Sequence, residues 1–180
     1  TAALMESMPN MGYFDGLGGV STDGSTYDVA RTLSMPSVLI VNSRGASLSV
    51  LATIKGFLSF RENSQIRAVI LNQVSPMIYA QLKPLIEQEL GVQVLGYVPK
   101  LTDLNLESRH LGLVLPGEIE ALKEKLKHLA MALEETLDLD GLLKLAEMTE
   151  PINYEEPKFP VLEHSVKIAV AADDKYYPLT

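Results

Sequence analysis

An α/β fold, a partial doubly wound and mostly parallel sheet flanked by helices, is predicted by two features of this 180-residue sequence. Short, nearly continuous β-branched runs recur, as they do in parallel strands covered on both faces. Stretches of helical periodicity stand between them, and that alternation builds strand–helix–strand units. Composition agrees: 47% of residues are hydrophobic and 21% charged, the balance of a globular chain with a sizeable core.

The elements follow in order. Residues 1–6, ending in Leu4-Met5-Glu6, resemble the end of a strand, and a glycine-rich stretch runs from Met11 to Gly19. Thr26 to Leu33 reads as a short helix, and Ser37 to Val41 as the first complete strand. From Leu48 to Phe60 a helix is expected, with Leu48, Leu51, Ile54 and Leu58 on one face. Ala68 to Leu71 is the next strand. Ser75 can then cap a helix opened by Pro76, and Ile78, Leu82, Leu85, Ile86 and Leu90 fall on one stripe. Gly91 supplies the stop, and Pro84 should kink the helix. Val92 to Leu95 is a third strand. A long helix is expected from about Pro116 to Leu137, with Ile119, Leu122, Leu126, Leu129, Leu133 and Leu137 on its apolar face, then a short one from Asp140 to Met148. Pro151, Pro157 and Pro160 punctuate an extended linker, and Val166 to Ala171 reads as a new strand. The expected organisation is therefore a main domain at 1–148, a linker at 149–165 and the first strand of another domain at 166–180.

Charge and composition exclude several functions. The net charge of −8 lacks the basic footprint that nucleic-acid binding needs, so no nucleic-acid partner is expected. An acidic chain can still bind ATP through Mg²⁺ and backbone amides. With no cysteine, a disulfide, a thiolate zinc site and a thiol nucleophile are ruled out within this chain, and a reducing, cytoplasmic setting fits. His110, His128 and His164 are scattered rather than paired at metal-ligand spacing. No apolar run approaches the roughly 18 residues of a membrane span, so no membrane partner is expected. Neither an initiator Met nor a signal peptide opens the chain, which is expected to be an internal piece of a longer protein.

Ligands of doubly wound sheets sit at the carboxyl ends of the strands. That points to Glu6, Asn42 to Gly45, Asn72 to Ser75, and Tyr97 to Lys100. Glu6, at a strand end before glycines, has the chemistry of a Mg²⁺ ligand; the ordinary alternative is a solvated carboxylate in a surface loop, and the same holds for Asp15. Asn72 offers a donor and an acceptor to an adenine edge, or else serves a turn. Pro99 can wall a base or merely end a strand. Arg44 can meet a phosphate or remain solvated. Arg109 beside His110 can grip a carboxylate or phosphate, or be an exposed Arg beside a satisfied His.

The order of these motifs is specific. Met11-Gly12-Tyr13-Phe14-Asp15-Gly16, Val41-Asn42-Ser43-Arg44-Gly45, Val69-Ile70-Leu71-Asn72-Gln73-Val74, Leu95-Gly96-Tyr97-Val98-Pro99 and Arg109-His110-Leu111-Gly112-Leu113 resemble the cobyrinic acid a,c-diamide synthase family. The tail, Val166 to Ala171 with Tyr176-Tyr177-Pro178, is similar to the opening of that family's class I glutamine amidotransferase domain. The resemblance covers nearly all of the chain. It implies a P-loop NTPase fold of the dethiobiotin-synthetase type, here without its first strand and phosphate loop, since no Gly-x-x-x-x-Gly-Lys-Ser/Thr motif occurs.

The activity implied for the parent protein is that of an ATP-dependent, glutamine-using amidoligase of cobalamin biosynthesis; the fragment itself, without the phosphate loop, is expected to be inactive. A corrinoid carboxylate takes the γ-phosphoryl of MgATP, and ammonia from glutamine attacks the acyl phosphate. On this resemblance Glu6 matches a residue for Mg²⁺ and phosphoryl transfer, and Asp15 one near the reacting carboxylate. Asn72 and Pro99 match positions around the adenine, and Arg109 and His110 match a substrate- or nucleotide-contacting pair. The sequence departs from the family pattern in a Glu6–Asp15 spacing two residues longer, in Asn42 where Asp is common, and in Ser43 where a small apolar residue is usual. A sheet without its first strand has an unpaired edge that invites self-association, so a homodimer is expected. The alternatives are an amidoligase acting on another tetrapyrrole such as nickel-sirohydrochlorin, and a non-catalytic binding or regulatory relative.

Overall fold

The computed structural model describes residues 12–101, 122–149, 151 and 155. The chain divides into two compact units, Thr1–Asn105 with Lys123–Pro151, and Leu106–Leu122 with Ile152–Thr180. All described residues except Leu122 and Glu155 belong to the first.

That unit is α/β, as expected. Its described elements are a 3₁₀ turn (Leu17–Gly19), α1 (Thr26–Thr32), β1 (Ser37–Asn42), α2 (Ser49–Ser59), β2 (Ile66–Asn72), α3 (Pro76–Leu90), β3 (Gln93–Val98), α4 (Leu122–Thr136) and α5 (Leu139–Glu147). The strands form a parallel sheet in the order β1-β2-β3. All three begin and end within a few residues of the positions the apolar runs predict.

Alternation of side chains along each strand gives the sheet two apolar faces. On one, Val41, Val69, Leu71 and Val94 pack with Val50, Leu51 and Ile54 of α2 and Leu82 and Ile86 of α3. On the other, Ala68, Ile70 and Leu95 meet Leu142 and Leu145 of α5. Ile54, Leu71 and Ile86 are fully buried, and removing each such side chain from water is worth about 1.5–3 kcal/mol.

The helix signals explain the boundaries. The Ser75 hydroxyl accepts from Ile78 N–H, Pro76 stands in the first turn, and Gly91 closes α3 in the left-handed region at φ 64°. The helix runs unbroken through Pro84. In α2, Leu48 precedes the helix and is 62% exposed, so the inward stripe is Val50, Leu51 and Ile54 with Leu58 half-buried beside them. In α4, Leu126 is 53% exposed, off the face on which Leu129 and Leu133 are half-buried. Pro116 to Ala121, the expected start of that helix, lies outside the described residues, as do Glu6, Arg109, His110 and the expected strand at 166–171. No described helix is long and apolar enough to cross a membrane.

Candidate functional site

The carboxyl edge of the sheet is built by register. Asn42, the last residue of β1, is paired with Asn72, the last residue of β2, and Asn72 with Val98, the last residue of β3. In-register neighbours of parallel strands lie about 4.8 Å apart and project to the same side. Asn42 is two residues beyond Ile40 and Asn72 two beyond Ile70, so this row continues the α5 face. Pro99, half-buried, follows Val98 directly.

Backbone hydrogen bonds tie the row together. Ser43 N–H donates to the Asn72 carbonyl at 2.8 Å, and Val74 N–H to the Val98 carbonyl at 3.3 Å. The buried Ser43 hydroxyl donates to the Val41 carbonyl at 3.1 Å. Arg44 N–H donates to Asn42 Oδ1 at 3.1 Å, closing the turn that Gly45 continues at φ 68°. Among the described residues, the side-chain amide of the half-buried Asn72 has no hydrogen-bond partner, and its polar atoms are open to solvent. Arg44, two residues beyond the end of the neighbouring strand β1, is exposed.

A bulge in β3 decides which residue completes the row. Val69 pairs with Val94, but Leu71 pairs with Tyr97, so three steps along β3 match two along β2. Without the extra residue, Tyr97 would stand beside Asn72. With it, Val98 takes that place. Tyr97 turns instead to the α3 face and stacks on Tyr79, with ring centroids 4.4 Å apart. The bulge is at Gly96, whose φ of 129° no L side chain adopts readily. A Cβ there would also collide with the Thr136 carbonyl oxygen and come within 2.8 Å of Leu137 Cα. The α4–α5 joint packs its backbone on this point: Gly96 bridges Leu137, and Asp138 N–H donates to the Leu95 carbonyl at 2.7 Å. Asp138 also caps α5 by accepting from Gly141 N–H at 2.8 Å. Tyr79 and the bulge were not identified as site features from the sequence, although a glycine inside a strand pattern is the signal for a bulge.

Asp15 is placed elsewhere. Its carboxylate accepts from Gly12 N–H at 3.0 Å in a tight turn, and it is exposed. The neighbouring Tyr13 O–H donates to the Ser64 carbonyl and lies 3.1 Å from Ser37 Oγ. Ser37 starts β1 and Ser64 precedes β2, so this turn is fastened to the amino edge of the sheet. Ser37 and Asn42 are five positions apart, roughly 17 Å of strand. The structure therefore brings Asn42, Arg44, Asn72 and Pro99 to one edge and does not bring Asp15 to it.

Aromatic contacts hold the turn. Phe14 stacks on Phe57 at 5.8 Å and meets Phe60 and Tyr27 at 5.1 and 5.3 Å. Tyr27 O–H donates to the Glu62 carbonyl at 2.9 Å. Burial pushes the Tyr13 hydroxyl above the ordinary tyrosine range, partly offset by its hydrogen bond with Ser37. An apolar depression of about 290 Å³ between Phe14, Ala52, Gly56, Phe57 and Phe60 adjoins this cluster and contains none of the candidate residues. No group of three or more His, Cys, Asp or Glu side chains able to hold a metal occurs among the described residues.

The chain matches no family model and no solved structure. It does match curated proteins named cobyrinate a,c-diamide synthase. The protein of that name from Caldanaerobacter subterraneus subsp. tengcongensis is 38% identical over 168 residues, covering 92% of this chain and 36% of the relative. That from Clostridium tetani is 37% identical over 92% of the chain and 37% of its own length. That from the archaeon Thermoplasma volcanium is 38% identical over 93% of the chain and 37% of its own length. The chain thus spans little more than a third of the relatives it matches.

Proposed function

We propose that this chain, which belongs to the cobyrinate a,c-diamide synthase family over the segment it shares with those relatives, supplies the nucleobase edge of an ATP-dependent amidoligase of cobalamin biosynthesis. The observation that carries the reading is the side-chain amide of the half-buried Asn72, at a strand's carboxyl end and without a partner among the described residues, in a chain 38% identical to a synthase over 92% of its length.

The chemistry asks little covalent work of these residues. A corrinoid carboxylate is a poor electrophile; taking the γ-phosphoryl of MgATP gives its carbonyl carbon a good leaving group. Ammonia, released from glutamine, then attacks that carbon, and inorganic phosphate and a proton depart as the amide forms. What the protein must supply is position and charge stabilisation. In this reading Asn72 holds the adenine edge, with Val98 and Pro99 as its apolar wall, and Arg44 meets the phosphates. Glu6 would hold Mg²⁺, and Arg109 and His110 the corrinoid carboxylates. Asp15 belongs near the reacting carboxylate in the family, so its place at the amino edge asks for a separate role in anchoring the glycine-rich turn. The names of the relatives favour cobyrinate over other tetrapyrroles as substrate.

The test is ATP- and glutamine-dependent conversion of cobyrinate to its a,c-diamide by the protein carrying this segment, followed by mass spectrometry and ADP release. Asn72→Ala should raise the KM for ATP about tenfold or more. Glutamine- and ATP-independent behaviour, or no amide product with any tetrapyrrole, would overturn the reading.

A further inference from the structure

The glycine-rich stretch runs into a loop that is fastened at its base and apolar at its tip. Gly16 N–H donates to the Ser21 carbonyl at 2.8 Å, Leu17 N–H to the Asp23 carbonyl at 3.0 Å, and the Ser21 hydroxyl to the Asp23 carboxylate at 2.8 Å. Those bonds hold the loop in one shape. Yet at its tip Leu17 is 72% and Val20 96% exposed. Aliphatic side chains held out into water by a fixed loop gain free energy only against another surface.

A receiving surface lies on the same edge. Phe14, three residues before Leu17, lines the apolar depression of about 290 Å³ with Ala52, Thr53, Gly56, Phe57 and Phe60. Gly56 stands inside α2, where glycine weakens a helix relative to alanine. A Cβ there would meet nothing within 4 Å among the described residues. The described fold therefore has no need of a glycine at this point, and the space above it is open to an occupant from outside. Charge divides the same way. Asp15 and Asp23 flank the tip, while Arg61 lies over the Phe60 ring, 4.1 Å from its centroid, on the rim of the depression. None of the three makes an ion pair among the described residues.

We propose that this face is an interface between two copies of the chain, each seating its Leu17–Val20 tip in the other's depression. Tip and depression belong to one face, so a two-fold axis satisfies both at once and every contact is made twice. The arrangement brings Asp15 and Asp23 of one copy toward Arg61 of the other, and that charge complementarity is what favours a second copy over an unrelated apolar partner. Phenylalanine and arginine are also the residues that interface centres collect. The face is separate from the carboxyl edge, so the inference does not rest on the nucleotide reading.

The test is sedimentation velocity over a concentration series of the protein carrying this segment, as wild type, Val20→Asp and Gly56→Leu. Val20→Asp charges the tip, and Gly56→Leu fills the depression from its own side. Both positions are open, so the far-ultraviolet circular dichroism of each variant should match the wild type. The wild type should sediment as a dimer, and each variant should raise its dissociation constant about tenfold or more. Arg61→Glu and added salt should both weaken the dimer by less. If Val20→Asp disturbs the loop, Gly56→Leu decides alone. A monomer at every concentration would overturn the proposal, and so would a dimer that neither variant weakens, which would place the contact on another face. A monomer whose melting temperature falls in Val20→Asp would overturn it too, and assign the depression to another part of the same protein.

Discussion

The two edges of the sheet are finished in opposite ways. At the amino edge, the polar groups of Tyr13 and Tyr27 are matched: their hydroxyls reach the Ser64 and Glu62 carbonyls, and Phe14 fills the space against Phe57 and Phe60. At the carboxyl edge the backbone is equally well tied, through Ser43, Asn72, Val74 and Val98, but the side chains are left over: Asn72 without a partner among the described residues, Asn42 with its NH₂ outward, Arg44 exposed. No buried side-chain N or O atom among the described residues lacks a partner, so the unpaired Asn72 amide is open to water and costs little stability. The amino edge is thus the edge whose side chains hold the fold, and the carboxyl edge the one whose side chains are left open to meet a ligand.

The difference is open to mutation. The largest effect is expected where the carboxyl edge depends on backbone shape. Gly96→Val forces a β-branched residue into φ 129° and into the Thr136 carbonyl; it should cost about 3 kcal/mol or more in urea unfolding and break the Tyr79–Tyr97 stack, to be followed by near-ultraviolet circular dichroism. Next, Ser75→Ala removes the cap of α3 and should cost about 1 kcal/mol by the same unfolding measurement.

Tyr13→Phe breaks the hydrogen bonds at the amino edge and should cost about 1 kcal/mol while leaving nucleotide affinity unchanged. The same residue gives a pH signature. Because burial raises its folded pKa above the ordinary 10.0, folding favours the protonated phenol. Its contribution is complete below pH 10 and is lost as pH rises from there through the folded value. Melting temperature should therefore fall above pH 10 more steeply in the wild type than in Tyr13→Phe. The smallest stability effect is expected at the candidate site itself: Asn72→Ala removes a side chain that bonds nothing among the described residues, so unfolding should change by no more than about 0.5 kcal/mol.

Much of this was legible in the chain, for local reasons. The β-branched runs located all three strands, and Ser75, Pro76 and Gly91 marked both ends of α3, because capping and turn chemistry act within a few residues. The candidate residues Asn42, Arg44, Asn72 and Pro99 share an edge because parallel strands end together. What escaped was non-local. Nothing near Tyr13 signals that its hydroxyl reaches Ser64, 51 positions on, so the glycine-rich turn was grouped with the strand ends. Leu48 was set on the buried stripe because periodicity alone does not show where a helix begins. The bulge at Gly96 needs the α4–α5 joint to explain it, and that contact joins residues some forty positions apart, Gly96 and Leu137.

The most direct test of the account is a titration, with MgATP, of the protein carrying this segment, followed through ¹⁵N side-chain amide resonances and by calorimetry, in the wild type and in Asn72→Ala. The account predicts that the Asn72 side-chain signal moves with ATP, and that Asn72→Ala melts as the wild type does yet binds at least about tenfold more weakly. Binding undiminished in Asn72→Ala, with the shifts gathered instead around Phe14, Phe57 and Phe60, would contradict it and move the ligand to the amino edge.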